Sequence, residues 1–254
     1  MADIKIKSDS EIKIMAEGGK KLAKVRSELE KAVKPGVSAW EIEELANKLI
    51  KSLGAEASFK KVPGYSWATC VNVNEGVVHG IPKKEIVFKN GDLVSVDVGV
   101  YFKGFHTDTS TTVLIGKDEG KQRFLNAGKQ ALDRAIEQIR VGKRIYDISA
   151  TIELIITGAG FTPIRALTGH GVGKQLHEEP YIPCFVPKGA ASQSKSPLIQ
   201  KGMVFAVEVM YTLGGFDLVT EEDGWTIATR NGKISALFEE TVAVGQGGPV
   251  VLTK

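Results

Sequence analysis

The chain carries four histidines, His79, His106, His170 and His177. Two of them fall in the stretch Gly169-His170-Gly171-Val172-Gly173-Lys174-Gln175-Leu176-His177-Glu178-Glu179-Pro180. The glycines beside His170 would let the backbone bend sharply and leave room around the imidazole. Taken alone, such a stretch is better read as a glycine-rich turn with incidental histidines. The carboxylates change that reading. Asp97 interrupts the apolar run Val94-Ser95-Val96-Asp97-Val98, and Glu208 interrupts Phe205-Ala206-Val207-Glu208-Val209. Acids are depleted in strands, and a buried carboxylate needs a charged or metallic partner. One such residue fits an edge strand facing water; two at matching places are harder to explain that way. Oxygen ligands with imidazole suit a divalent transition metal and require no thiolate. Several carboxylates around one centre would repel one another unless cations stood between them.

These acids lie in a sequence written twice. Gly91-Asp92-Leu93-Val94-Ser95-Val96-Asp97-Val98 resembles Gly202-Met203-Val204-Phe205-Ala206-Val207-Glu208-Val209, with the acid at the same place in each. A second pair follows: Asp108 opens a Thr/Val run ending at Gly116, and Glu239-Glu240 opens another ending at Gly245. Upstream, Gly36-Val37-Ser38-Ala39-Trp40-Glu41-Ile42 matches Gly142-Lys143-Arg144-Ile145-Tyr146-Asp147-Ile148. The period is far longer than the roughly 20–50 residues of a solenoid, so two halves about a pseudo-twofold axis are expected. The segment between Asp97 and Asp108 is long enough for a hairpin that returns beside itself and lets the two carboxylates meet. Pseudo-symmetry would bring Glu208 and Glu239 to the opposite side. Successive strand side chains face opposite ways, so only one of Glu239 and Glu240 can join them. The repeat aligns Glu239 with Asp108, which selects Glu239 and leaves Glu240 as an outward or supporting acid.

Helical periodicity precedes each run of strands. Met15, Leu22, Val25, Leu29 and Val33 fall at helical spacing up to Pro35-Gly36, and Ile42, Leu45, Leu49 and Leu53 make a second helix ended by Gly54. Ser8 with Glu11, and Ser38 with Glu41, have capping-box spacing. Phe124, Ala131, Ala135, Ile136 and Ile139 mark a third helix, and Ile148, Ile152, Ile155 and Ile156 a fourth, ended by Gly158. Strands are expected around residues 67–79, 91–115, 202–219 and 233–244. Helices before strands, twice over, predict an α+β fold with a largely antiparallel sheet. No linker is visible; Ala190 to Ser196 reads as a surface loop. One catalytic domain over 1–254 is expected, in halves of roughly 1–116 and 117–254.

The 254 residues, 43% hydrophobic and 25% charged, suit a soluble globular protein. A net charge of +3, spread along the chain, does not argue for nucleic-acid or membrane binding. Met1 to Glu11 has no apolar segment of signal-peptide type, and no run approaches the roughly 18 residues of a membrane span. Two cysteines, Cys70 and Cys184, are too few for a disulfide scaffold or a thiolate zinc site, which suggests a reducing compartment.

Six segments, in order along the chain, resemble the type I methionine aminopeptidases of metallopeptidase family M24, with the pita-bread fold. They are Val78-His79-Gly80-Ile81-Pro82; Asp97-Val98-Gly99 with Asp108; Gly169-His170-Gly171-Val172-Gly173 with His177-Glu178-Glu179-Pro180; Glu208; Asp223-Gly224-Trp225-Thr226; and Ser235-Ala236 with Phe238-Glu239 and Thr241. The resemblance covers nearly the whole chain. It implies that Asp97, Asp108, His170, Glu208 and Glu239 hold two divalent ions (Co, Mn, Fe, Zn or Ni), with Asp108 and Glu239 bridging. It implies that an activated water attacks the first peptide carbonyl, that Glu208 shuttles the proton, and that His177 steadies the oxyanion. His79 would contact the substrate amide, and Tyr65, Cys70 and Trp225 would occupy pocket positions. The implied substrate is the N-terminal Met of nascent polypeptides, with a small second residue. The implied setting is a cytoplasmic monomer in transient contact with the ribosome, with no membrane and no specific nucleic-acid partner.

The sequence departs from the family pattern at Phe59, Val62, Leu176, Val209, Leu237 and Glu240, while all five ligand positions are kept. Glu240 would add negative potential near the site and shift metal preference. Two alternatives remain within the same fold: an Xaa-Pro peptidase, which usually carries a further N-terminal domain, and a catalytically inactive binding module, although relatives of that kind lose metal ligands and none of the five is missing here. A nucleotide site is weaker, because Lys174 stands where Gly169-x-Gly171-x-x would need a third glycine.

Overall fold

The computed structural model describes residues 4–187 and 191–254. Helices α1 (Asp9–Ala32) and α2 (Ala39–Ser52) precede β1 (Glu56–Ala57), β2 (Thr69–Val73), β3 (Gly76–Val78), β4 (Leu93–Phe102) and β5 (Phe105–Leu114). Then α3 (Glu119–Glu137) and α4 (Ile145–Gly158) precede β6 (Thr162–Pro163), β7 (Thr168–Gly171) and β8 (Glu178–Pro183). A short α5 (Ala191–Lys195) leads to β9 (Val204–Thr212), β10 (Leu218–Thr220), β11 (Ile227–Thr229), β12 (Ser235–Gly245) and β13 (Gly248–Val251). The expected α+β order holds, and the registered strand pairs are antiparallel.

Both helix starts in the first half are closed as the spacing predicts. Glu11 N–H donates to Ser8 Oγ at 3.3 Å while Ser8 N–H donates to Glu11 Oε2 at 2.9 Å. Ser38 and Glu41 repeat the arrangement at 2.8 and 3.3 Å. Each box satisfies two otherwise orphaned N–H groups, and losing such a cap costs about 1 kcal/mol. Helix α4 ends at Gly158, as the spacing predicts, and the left-handed turn that follows is made by Gly160 at φ 86°. One local expectation needs correction. The segment read as a loop forms α5 over Ala191–Lys195, because its small and polar residues also permit one helical turn; Ala190 lies outside the described residues.

The main sheet runs β1-β4-β5-β12-β9-β7-β8, with β2 on β4, β6 on β9 and β13 on β12. Helix α1 lies against β4 and β5, and α3 against β9 and β12. One core joins Leu22, Val25 and Leu29 of α1 to Ile42 of α2 and Val94, Val96 and Val98 of β4. Another joins Leu125 and Ile136 of α3 to Ile148 of α4 and Phe205, Val207 and Val209 of β9. The matched sequence segments adopt matched structures: Gly36 and Gly142 have φ 85° and 89°, and Ser38 and Arg144 each form an isolated antiparallel bridge. Gly91 and Gly202, before β4 and β9, have φ 91° and 89°.

The seam between β5 and β12 is short. Only Glu239↔Ser110 and Glu240↔Thr109 are in register there, against the long ladders on either side. Hydroxyls take up the flanking main-chain groups. Thr112 Oγ1 accepts from Leu237 N–H at 3.0 Å and donates to Leu237 C=O at 2.8 Å. Thr241 Oγ1 accepts from Asp108 N–H at 2.9 Å and donates to Asp108 C=O at 2.7 Å. A hydroxyl can do both at once, so one threonine satisfies both polar groups of the residue opposite.

The glycines around His170 serve close approach rather than a bend. Neither Gly169 nor Gly171 has a positive φ. A Cβ at Gly169 would lie 2.6 Å from Ala206 C=O of β9, and one at Gly171 would overlap Glu179 C=O. Strand β7 therefore sits too close to β9 and β8 for any side chain at these places. Gly171→Ala is expected to destabilise the metal-free protein by about 2 kcal/mol or more. The check is chemical denaturation, where an unchanged midpoint would contradict the packing argument.

Candidate metal centre

Strand alternation sorts the acids. The registers Cys70↔Asp97, Asp97↔Ser110, Gly99↔Asp108, Glu239↔Ser110 and Glu239↔Glu208 put Asp97, Asp108, Glu208 and Glu239 on one face of the sheet. His170, opposite Ala206 on the far side of β9, faces the same way. Asp108, His170 and Glu239 are buried and bring one ligand atom each within 4.8 Å of one another. Asp97, Glu208, His79, His177, Tyr65, Cys70 and Trp225 line the same cavity, so the residues given a ligand, catalytic or pocket role from the sequence are brought together. Phe59, Val62, Val78 and Leu176 complete the lining.

The electrostatics are those of an anionic pocket awaiting cations. Desolvation raises the pKa of Asp97, Glu208 and Glu239 well above the usual range, and the charge of Asp108 adds to each. Burial holds Asp108 itself at about 7, against the Thr109 N–H, which favours its charge. His170 is pushed down to about 3 by burial and by His177, so its ring is neutral. Its Nδ1 lies 2.8 Å from Gly171 C=O, which takes the ring N–H and turns the Nε2 lone pair toward Glu208 Oε1, 3.3 Å away. A backbone carbonyl on the far nitrogen is the usual support for a metal-ligating imidazole. Asp97 Oδ1 and Glu239 Oε1 are buried without a hydrogen-bond partner. Unpaired buried oxygens are costly, and a divalent cation would satisfy both. The donor set therefore fits a metal.

Beside the acids lies an apolar wall. Tyr65 stacks edge-on with Trp67 and Trp225, at centroid distances of 5.2 and 5.1 Å. Its hydroxyl donates to Thr69 C=O at 2.8 Å and lies 3.2 Å from Cys70 Sγ. Asp223 holds Trp225 in place by accepting from the N–H of Trp225 and Thr226 and from Lys83 Nζ, at 3.0, 2.8 and 2.7 Å. His79 stands in the left-handed region at φ 59°, a strain of about 1 kcal/mol. Gly80 secures the turn: its N–H donates to Asn72 Oδ1 at 3.0 Å and its C=O accepts from Val71 N–H at 2.9 Å. His177 is exposed at the mouth, its ring 4.4 Å from that of His170. Partial desolvation keeps both His79 and His177 below their ordinary pKa.

Two residues escaped the sequence reading. Glu43 of α2 is 2% exposed and accepts from Ala68 N–H at 2.9 Å and from Thr69 N–H and Oγ1 at 2.9 and 2.8 Å. It anchors the strand that carries Cys70. Its signal was there: Ala39, Ile42, Glu43, Ala46 and Ile50 form one buried helical stripe. Trp67, packed on Tyr65, had no pattern to mark it. Glu240 requires a correction. It is 5% exposed, on the opposite face from Glu239, and Arg26 Nη1 donates to its Oε1 at 2.8 Å. Of the two expected roles, outward or supporting, only the outward one is overturned: alternation turns Glu240 to the helix side, where Arg26 pairs with it, and its charge still adds to the rise in the Glu239 pKa. Val209 and Leu237 are fully buried packing residues.

A model of metallopeptidase family M24 matches residues 13–246. The chain belongs to this family. This M24 member is 39% identical to a methionine aminopeptidase of Aquifex aeolicus across 99% of both chains. It is 36% identical to methionine aminopeptidase 1 of Bacillus subtilis across 98% of both. A crystal structure of methionine aminopeptidase from Thermotoga maritima superposes with a TM-score of 0.94 at 41% identity, covering 99% of each chain. The fold is the family's pita-bread fold. An Xaa-Pro dipeptidase from Bacillus anthracis shares that fold at a TM-score of 0.74 and 24% identity, with 62% of its chain covered. Family and buried cluster together indicate a divalent-metal site.

The raised carboxylates make stability depend on pH in a stated direction. In the folded, metal-free protein they keep protons that the unfolded chain, with acids near pKa 4, releases. Their contribution is complete below about pH 4 and is lost as pH rises through about 7 for Asp108. The depressed His170 and His106, at about 3 and 4, act oppositely, but only below their unfolded value near 6.5. Between about pH 6.5 and 8.5 the melting temperature of metal-free protein should therefore fall. Saturating Mn²⁺ should raise it more at pH 8 than at pH 6.5, since binding favours deprotonated ligands. Calorimetric melting at several pH values, with and without Mn²⁺, tests this; an equal metal increment at both would count against it.

Proposed function

We propose that this protein is a methionine aminopeptidase that uses two divalent ions to remove the N-terminal Met of nascent polypeptides. The observation that carries the reading is the convergence of Asp97, Asp108, His170, Glu208 and Glu239 beside an apolar wall, in a chain whose full-length relatives carry that name. Sheet order supports the ligand roles. Asp108 and Glu239 stand on the two central strands, β5 and β12, with Asp97 on one flank and Glu208 and His170 on the other. On this reading two ions would share the central pair, with Asp97 completing one and Glu208 and His170 the other. Oxygen-rich sites with one imidazole accept Co, Mn, Fe, Zn or Ni. Such ions supply Lewis acidity to a peptide carbonyl and to an attacking water.

The chain's own groups would do the rest. Glu208 takes the water proton and returns it to the leaving amine. Neutral His177, at the mouth, donates an N–H to the developing oxyanion. His79, held in its strained turn, meets the substrate amide. Phe59, Val62, Tyr65, Cys70, Leu176 and Trp225 receive the methionine side chain, which adapts to an irregular apolar wall. Residues 1–254 form one catalytic domain acting as a cytoplasmic monomer, with transient ribosome contact and no membrane or specific nucleic-acid partner. Among the described residues, no helix is long and apolar enough to cross a membrane.

Metal-loaded protein should release Met from Met-Ala-Ser, cleave far less when the second residue is large, and leave Xaa-Pro peptides intact. Asp108→Ala should abolish turnover with the fold retained. His177→Ala should lower kcat on the order of 10²-fold with metal content unchanged, because it serves the transition state. Peptide cleavage with metal analysis of the purified variants checks both; normal turnover by Asp108→Ala, or loss of metal in His177→Ala, would refute the roles.

A further inference from the structure

Behind the acidic face, on the helix side of the sheet, the short seam is closed by one side chain from α1. Arg26 Nη1 donates to Glu240 Oε1 at 2.8 Å and to Thr109 Oγ1 at 2.6 Å. Those two acceptors belong to the residues Glu240 and Thr109 that face each other in register across β12 and β5. Each link continues toward a carboxylate of the proposed centre. The Thr109 hydroxyl donates to Glu239 C=O at 2.8 Å, and Thr109 N–H donates to Asp108 Oδ1 at 3.0 Å. The second Glu240 oxygen accepts from the Thr253 hydroxyl, which accepts from Thr241 N–H at 3.0 Å. Thr241 in turn clasps both main-chain groups of Asp108.

We propose that Arg26 is a positioning residue for the metal centre: through Glu240 and Thr109 it fixes the separation of Asp108 and Glu239 across the seam between the two halves. The inference rests on the metal-centre reading above. Only two residues per strand are in register here, so the main chain alone constrains the seam weakly. Asp108 and Glu239 come from strands far apart in sequence, and sharing ions between them tolerates only a few tenths of an ångström. A pair such as Arg26–Glu240, with Glu240 5% exposed, is a poor device for stability alone, because apolar replacements of buried pairs are often neutral. Its contacts with Glu240, next to Glu239, and with Thr109, next to Asp108, on the other face of the two central strands, give it a geometric use.

The test compares unmodified protein with Arg26→Met/Glu240→Met, which removes both charges together, and with Thr109→Val, which removes the hydroxyl relay alone. Readouts are Mn²⁺ titration calorimetry of metal-free protein, melting temperature, and kcat and KM on Met-Ala-Ser at saturating Mn²⁺. Both variants should melt within a few degrees of the unmodified protein. Both should bind Mn²⁺ at least tenfold more weakly and lose at least tenfold in kcat, with KM within about twofold. Thr109→Ser should restore most of the affinity. Unmodified affinity and kcat in either folded variant would overturn the role of Arg26. If Arg26→Met/Glu240→Met does not fold, Thr109→Val decides by the same criterion. Failure of the unmodified protein to bind Mn²⁺ would instead overturn the metal-centre reading, and this inference with it.

Discussion

Four carboxylates share one face of the sheet, and they cannot all be charged there without a cation between them. The charge of Asp108 raises the proton affinity of Asp97, Glu208 and Glu239, and two of the four groups' oxygens have no partner in the protein. Such an arrangement is destabilising for an empty fold. Charge on all four becomes tolerable only when something positive completes the site. The rest of the molecule can be understood as the framework that holds these groups in place despite their repulsion.

Most of that framework works from behind. The two helix pairs cover the opposite side of the sheet and give each half its own core, so the acids need contribute nothing to packing. Where the halves meet, hydroxyls of Thr109, Thr112 and Thr241 replace a long main-chain ladder. A threonine-rich seam keeps its polar groups satisfied where the main-chain register is short. The apolar wall is held by buried polar anchors of its own. Glu43 fastens the strand bearing Cys70, and Asp223 the turn bearing Trp225. Binding surface and metal centre are thus supported by separate sets of charges, each paired or hydrogen-bonded on the side away from the cavity.

Much of this was legible in the sequence, for reasons that are local. Capping boxes at Ser8 and Ser38, the apolar stripes of four helices and the acid-bearing strands all follow from neighbours within a few residues. Strict alternation separates Glu239 from Glu240 without coordinates, because adjacent strand residues must face apart. The repeat supplied what a single segment cannot, the expectation that acids far apart in the chain meet. Glu43 and Arg26 were harder to see. Each lies within or beside an amphipathic stripe, but a charge in a stripe says only that it is paired, not with what.

Residue type and short-range spacing determined the elements, their order and the side chains that could bind a metal. Tertiary structure alone decided three things. It brought β5 against β12 and so made Asp108 and Glu239 neighbours. It gave Glu240 a partner on α1, so that its charge is paired on the helix side of the sheet. It assigned the glycines around His170 to close strand packing instead of a bend. Each of these depends on contacts between segments distant in the chain, and no local preference encodes such a contact: it is selected by burial, charge pairing and the space left between elements once they pack.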